Sequence, residues 1–443
     1  PEPSPYYPST RRFGNPLYLR IEEIPGADRL AGELAELATA GRALNAERVI
    51  DRSRIVALKL PALERIWASG TDRASFEAWR AERGASLERW ATFAVLAERF
   101  GPGWRTWPEP YRSPDAPAVA AVARGEADQI AFHAWLQWCF DRQLAAASAA
   151  LVRIADVPVG VDPGGFDAWD WQGQLAMEAS VGAPPDRFNV DGQDWGLPPF
   201  VPSRLRAAAY RPFVETIRAQ LRHAGGLRID HVLGLFRLWW IPTGHGPGRG
   251  AYVRSRTDEL LEIVALESHR AGALVIGEDL GTVPAGVRSE LRRRRLLSTR
   301  LALFERVPPS RYPAQSFAGV STHDLPTVAG AWSGSDLHDQ VAAGLTPDPN
   351  ALELLRSRLT RAAGVRAGAS LDELVDGLHR RLAAAPPALV AATLEDALRV
   401  EERPNLPGTI PRQRDNWSLA LPVPIDDFPG NPSVRSTVSA LAR

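Results

Sequence analysis

Gly226-Leu227-Arg228-Ile229-Asp230-His231 is the stretch on which the fold turns. It is a short apolar run that opens on glycine and ends in polar residues, and it reads as a buried strand. Arg228 and Asp230 are two apart, so a strand projects both from one face. An arginine beside an aspartate on one face favours the ionised carboxylate. Five more runs of this kind lie around it: Leu151–Val159, Ala273–Gly277, Thr299–Phe304, Phe317–Thr322 and Ala388–Leu394. Amphipathic segments separate them, at Arg204–His223, Arg254–Ala271, Pro284–Arg294 and Ala351–Ala362. Strands alternating with helices predict an α/β fold with a parallel sheet and crossover helices. Six such units suit a (β/α)8 TIM barrel better than an open sheet. No dinucleotide fingerprint follows any of the runs, and no internal repeat is present.

The chain upstream reads differently. Residues 26–100 place apolar positions at helical spacing, 101–117 are rich in Pro, Gly and Trp and read as a loop, and a helix is expected from about Gly125 to Ala150. The expected division is 1–150, a mainly helical subdomain, and 151–443, the strand-bearing catalytic region.

Composition narrows the chemistry. Acidic and basic residues balance at 52 each in 443 residues, so no global field recruits nucleic acid or an anionic membrane. The one cysteine, Cys139, leaves no intrachain disulfide, and its Trp-Cys-Phe setting reads as core in a cytoplasmic, reducing home. The one lysine, Lys59, sits in an ordinary helical run, which argues against Schiff-base or P-loop chemistry. None of the eight histidines forms a His-Glu-x-x-His pair, so no metal is expected, and nothing implies a cofactor.

In a barrel, polar residues at the C-terminal ends of strands carry the chemistry. Asp230 closes one run, Gly277-Glu278-Asp279-Leu280-Gly281 closes the next, and Ser321-Thr322-His323-Asp324-Leu325 closes a later one. Singly, each carboxylate reads as a helix cap or a structural ion pair. Three of them, each at a separate strand end and without metal-ligand histidines, point to glycosidic chemistry.

Those three stretches resemble the catalytic motifs of the amylomaltases, the 4-α-glucanotransferases of glycoside hydrolase family 77 in the α-amylase clan. Asp156-Val157-Pro158-Val159-Gly160-Val161 resembles the family's third strand. Gly182–Phe188, running on to Gly192-Gln193-Asp194-Trp195-Gly196, is similar to its substrate-covering loop. Asn405-Leu406-Pro407-Gly408-Thr409 with Asn416-Trp417 resembles its C-terminal signature. Tyr6–Leu19 resembles the stretch after its second strand, which implies an N-terminally truncated chain with six of eight barrel strands. The gap is expected between the strand near 151–159 and the one near 388–394.

The resemblance implies a retaining transfer of α-1,4-glucan segments among maltooligosaccharides and glucose. Asp230 would be the nucleophile and Glu278 the acid and then the base. Asp324 would favour the distorted ring. Arg228, His323, Asp186, Phe188, Gln193 and Trp195 would contact substrate. Arg187 stands where family members commonly carry an aromatic. Trp239 and Trp240 read as packing at a strand edge. The Gly- and Pro-rich 182–200 segment reads as a lid loop that excludes water. The competing readings are an α-glucan hydrolase of the same clan and an inactive glucan-binding fragment.

Overall fold

The computed structural model describes residues 2–70, 72–185, 191–366 and 368–442. The chain divides into two compact units: Pro1–Ala43 with Arg52–Val275, and Leu44–Asp51 with Ile276–Arg443. Its strands in chain order are β1 (Ile154–Val157), β2 (Ala179–Ala183), β3 (Gln193–Leu197), β4 (Gly226–Ile229), β5 (Arg237–Pro242), β6 (Ala251–Arg254), β7 (Leu274–Gly277), β8 (Leu297–Leu301), β9 (Ser316–Gly319) and β10 (Leu389–Val390).

A six-stranded sheet has the order β1-β4-β7-β8-β9-β10, and β7 is divided between the units. The pairings β1–β4, β7–β8, β8–β9 and β9–β10 are parallel. All six expected runs supply a strand, and β1 and β10 are the edge strands. The strands are shorter than the apolar runs. Leu151 and Val152 precede β1 and are exposed, and Ser321 and Thr322 lie beyond the end of β9.

The first unit owes its core to three helices, Arg52–Ala68, Arg73–Phe100 and Ala127–Ala149. Ten consecutive residues, Ile130–Cys139, are buried in the last of these, so it is packed on all sides rather than along one stripe. Trp107, Trp135 and Trp169 are fully buried and pack with Trp67, Phe76, Phe93 and Phe166 in one aromatic core. Lys59 is structural: its ammonium donates to the carbonyls of Leu17 and Leu19 at 2.6 and 2.9 Å. Burial pushes the Cys139 thiol up, away from the reactive thiolate.

Buried charge fixes the N-terminal stretch. The Arg12 guanidinium donates to Asp167, Asp170 and Glu215 at 3.0, 2.6 and 3.0 Å and lies 3.8 Å over the Trp171 ring. Arg11 donates its main-chain N–H to Asp167 at 2.8 Å and its side chain to the carbonyls of Pro158 and Val159. These ties hold the residues just after Tyr6 against the segment that follows β1.

The 182–200 segment departs from the expected loop. Its described part is the base of a hairpin in a four-stranded antiparallel sheet of order β3-β2-β5-β6. Backbones approach closely there: a Cβ on Gly182 would lie 1.9 Å from the Gln193 carbonyl oxygen. Trp239 and Trp240 are likewise not at a strand edge. They lie in β5, flanked by β2 and β6, and the Trp239 indole donates to the Pro247 carbonyl. Sequence reasoning missed this sheet because its strands are short and mix polar and aromatic residues.

In the second unit β8 and β9 pair from Ser298↔Ser316 to Leu301↔Gly319. Helices Pro349–Ala363 and Leu371–Ala383 share a core with Ala318, Val320 and Val328. The second helix begins with a capping box between Ser370 and Glu373. Among the described residues, no helix is long and apolar enough to cross a membrane.

Candidate active site

Each of the three carboxylates follows a strand of the parallel sheet. Asp230 comes directly after β4, Glu278 directly after β7, and Asp324 in the loop after β9. In the first unit, parallel register sets Arg228 opposite Asp156. Arg228 Nη1 reaches both Asp156 carboxylate oxygens at 2.7 and 2.8 Å, and its Nη2 lies 3.0 Å from Asp230 Oδ1. One planar fork thus spans two carboxylates. Burial works against the Arg228 charge, but Asp156 and Asp230 together raise the guanidinium above its ordinary range. The Tyr6 hydroxyl donates to Asp156 at 2.6 Å. Burial and then the Asp156 charge push that phenol up, so it stays protonated.

The main chain at Asp230 is held as well. Its N–H donates to the Val157 carbonyl at 3.0 Å, which extends the β1–β4 ladder by one residue. His231 then turns into the left-handed region at φ 43°. Burial lowers His231 to about 4, so the ring is neutral near pH 7. Trp195, on β3, meets the His231 ring edge-on with centroids 5.3 Å apart. The Trp195 indole donates to Gln193 Oε1 at 2.9 Å. Asp186, Arg187 and Phe188 lie outside the described residues.

The second unit holds the other two carboxylates. Glu278 Oε1 accepts the Leu280 N–H at 2.7 Å. Asp324 Oδ1 accepts from the Asn405 amide at 2.6 Å, and its Oδ2 lies 3.4 Å from His323 Nε2. Arg403 donates to the Asp324 carbonyl at 3.1 Å, and the Asn405 N–H to the His323 carbonyl at 3.3 Å. The Trp417 ring lies 5.0 Å from the His323 ring, and its backbone is left-handed at φ 61°. Asn416 ties this segment together by accepting the Leu406 N–H and donating to Thr409. Glu395 is a further carboxyl near His323, pushed up by its burial.

Among the described residues no cluster of three or more His, Cys, Asp or Glu could hold a metal.

A family model described as 4-alpha-glucanotransferase, of glycoside hydrolase family 77, matches residues 1–424. The chain belongs to the 4-alpha-glucanotransferase family. A 4-alpha-glucanotransferase of Mycobacterium tuberculosis is 42% identical over 96% of this chain and 63% of its own length. One from Haemophilus influenzae is 32% identical over 95% of this chain and 68% of the relative. The chain thus spans less than two thirds of the length of the mycobacterial relatives. The crystal structure of amylomaltase from Corynebacterium glutamicum superposes with a TM-score of 0.88 at 34% identity, covering 100% of this chain and 68% of that one. An amylomaltase from Streptococcus agalactiae in complex with acarbose shares the fold, with a TM-score of 0.78 at 18% identity, over 99% of this chain and 88% of that one. The parallel sheet is therefore that of a TIM-barrel-like amylomaltase fold, with six strands among the described residues.

Relative to the sequence reading, the Arg228–Asp230 and His323–Asp324 pairs are in contact, as are Gln193 and Trp195. Tyr6, Asp156, Asn405 and Trp417 were within family-like stretches but had no assigned role. Their sequence separations from Arg228 and Asp324 hid the contacts.

Proposed function

We propose that the chain carries the catalytic groups of a 4-α-glucanotransferase acting by retaining double displacement. The observation that carries the reading is the Arg228 fork, which holds Asp230 and Asp156 at the C-terminal ends of adjacent parallel strands. An anchored, charge-compensated carboxylate of this kind suits a nucleophile.

In the first step an Asp230 oxygen attacks the anomeric carbon and forms an ester. The glycosidic C–O bond breaks, and Glu278 gives its proton to the departing oxygen. In the second step Glu278, now a carboxylate, takes the proton of an acceptor sugar hydroxyl. That oxygen attacks the same carbon, the ester bond breaks, and Asp230 is released. Two inversions give retention, and the reaction calls for Asp230 and Glu278 carboxyl groups about 5–5.5 Å apart.

Asp324, fixed by Asn405, would bind ring hydroxyls and favour the oxocarbenium-like ring. His323, Arg228, Gln193, Trp195, Asp186 and Phe188 complete the proposed substrate contacts. Donors and acceptors are α-1,4-glucans, maltooligosaccharides and glucose, and the acarbose complex of the Streptococcus relative makes acarbose a suitable binding probe. The buried lone cysteine suits a cytoplasmic setting.

Incubation of the full-length protein with maltotriose tests the reading: longer oligomers together with glucose support transfer, and shorter products alone indicate hydrolysis. Asp230→Asn abolishes both. Glu278→Gln loses maltotriose turnover by on the order of 10²–10⁴-fold. With a glycosyl fluoride, which departs without a proton, Glu278→Gln accumulates the ester. Mass spectrometry then finds one glycosyl unit on the peptide containing Asp230, and a label on any other peptide removes Asp230 from the role.

A further inference from the structure

We propose that Asp279 is a positioning residue for Glu278, an assignment that rests on Glu278 being the acid–base group described above. Asp279 is fully buried, so it is neither a surface counter-charge nor a group that reaches substrate. Its Oδ1 accepts the main-chain N–H of Thr299 at 2.7 Å, and its Oδ2 accepts from Arg288 Nε at 2.7 Å. Arg300 Nη1 lies 3.5 Å from the same Oδ2 and donates to the Thr299 carbonyl at 2.6 Å. Arg288 also donates to the Asp279 carbonyl at 3.3 Å.

These bonds matter because of where the β7–β8 ladder stops. The register runs Ile276↔Leu297 and Gly277↔Ser298 and goes no further. Beyond it, side chains take over from main chain. The Thr299 hydroxyl donates to the Gly277 carbonyl at 3.0 Å, and the Thr299 N–H goes to Asp279. Thr299 is itself fixed from the other side, because β8 stays paired with β9 as far as Leu301↔Gly319.

Glu278 is thus the one residue between two that are both tied to Thr299. Its Cα cannot drift without breaking the bond at Gly277 or the bond at Asp279. Its Oε1 is held in turn by the Leu280 N–H, two residues on. An acid must meet the leaving oxygen within hydrogen-bond reach, and misplacement by about 1 Å can cost on the order of 10²-fold. Asp279 supplies that restraint from a site sealed from substrate.

The test uses the full-length protein with Asp279→Ala, Asp279→Asn and Thr299→Val, each on maltotriose and on α-glucosyl fluoride. In Asp279→Ala, kcat on maltotriose falls by about 10–100-fold with KM within about twofold. Ester formation from the fluoride, which needs no acid, changes by less than about threefold. Asp279→Asn keeps an oxygen for the Thr299 N–H and recovers part of the loss. Thr299→Val, which keeps the side chain's size and the main-chain N–H that Asp279 accepts, shows a smaller loss with the same donor selectivity, and it decides the matter where Asp279→Ala does not fold. Equal losses on both donors, or none, overturn the positioning role. Glu278→Gln separates the two layers of the argument. If it turns over maltotriose normally, the acid–base reading falls and this proposal with it. If it shows donor selectivity while the Asp279 and Thr299 variants do not, the positioning role alone is refuted.

Discussion

Arg228→Gln and Arg228→Lys separate the charge of the fork from its shape. At the roughly 4 Å between charge centres, one ion pair is worth about 4 kcal/mol at an effective dielectric of 20 and about 1 kcal/mol in water. The Arg228 and Asp230 side chains are 17% and 21% exposed, so their pair falls between those limits, at about 2 kcal/mol. Asp156 is 36% exposed and adds less, because solvent screens it. Arg228→Gln removes the cation that two neighbouring carboxylates share, and a loss of about 2–3 kcal/mol in urea unfolding is expected. Arg228→Lys keeps the charge, but a single ammonium cannot hold both partners as the planar fork does. Its stability should stay within about 1 kcal/mol of the parent, while transfer slows by about 10–100-fold because Asp230 loses its fixed orientation. Urea denaturation and initial rates on maltotriose measure the two effects separately. A lysine variant as fast as the parent refutes the role of the fork, and a glutamine variant as stable as the parent refutes the electrostatic argument.

Arg12→Met removes the cation paired with the fully buried Asp167 and leaves the nearly buried Asp170 with Arg89, so a destabilisation of about 3–5 kcal/mol is expected in calorimetry or urea unfolding; a loss below about 1 kcal/mol would show that Asp167 is satisfied without it. His231 gives the protein a pH dependence. Burial lowers the folded-state value to about 4 against an ordinary 6.5, so the unfolded chain binds a proton that the native state refuses. Stability from this group is complete above about pH 6.5 and is lost as pH falls towards 4, by about 3 kcal/mol in all. His231→Asn, which tolerates the left-handed backbone, should flatten urea midpoints between pH 7.5 and 5; an unchanged slope assigns the acid sensitivity elsewhere.

Local pattern made much of this protein legible. The six apolar runs were visible because strands of a parallel sheet are buried on both faces. The carboxylates at their ends were visible because a strand of four or five residues leaves few places for a polar group to stand. The four-stranded antiparallel sheet was not. Gln193-Asp194-Trp195-Gly196-Leu197 has no clean alternation, and its pairing with Ala179–Ala183 is bulged between Val181 and Gly182. Gly182 and Gly192, which suggested a loop, stand instead where two backbones approach closely.

By itself, the sequence determined the strand–helix alternation, the family and which carboxylates follow the strands, because each is a property of a few neighbouring residues. Only the tertiary structure decided what holds those groups. Tyr6 reaches Asp156 across 150 residues of chain and Arg228 reaches it across 72, and Asn405 reaches Asp324 across 81. Thr299 meets both residues flanking Glu278 because β8 lies beside β7. Such contacts depend on strand register and on where a ladder ends, and both are set by packing between segments remote in the chain.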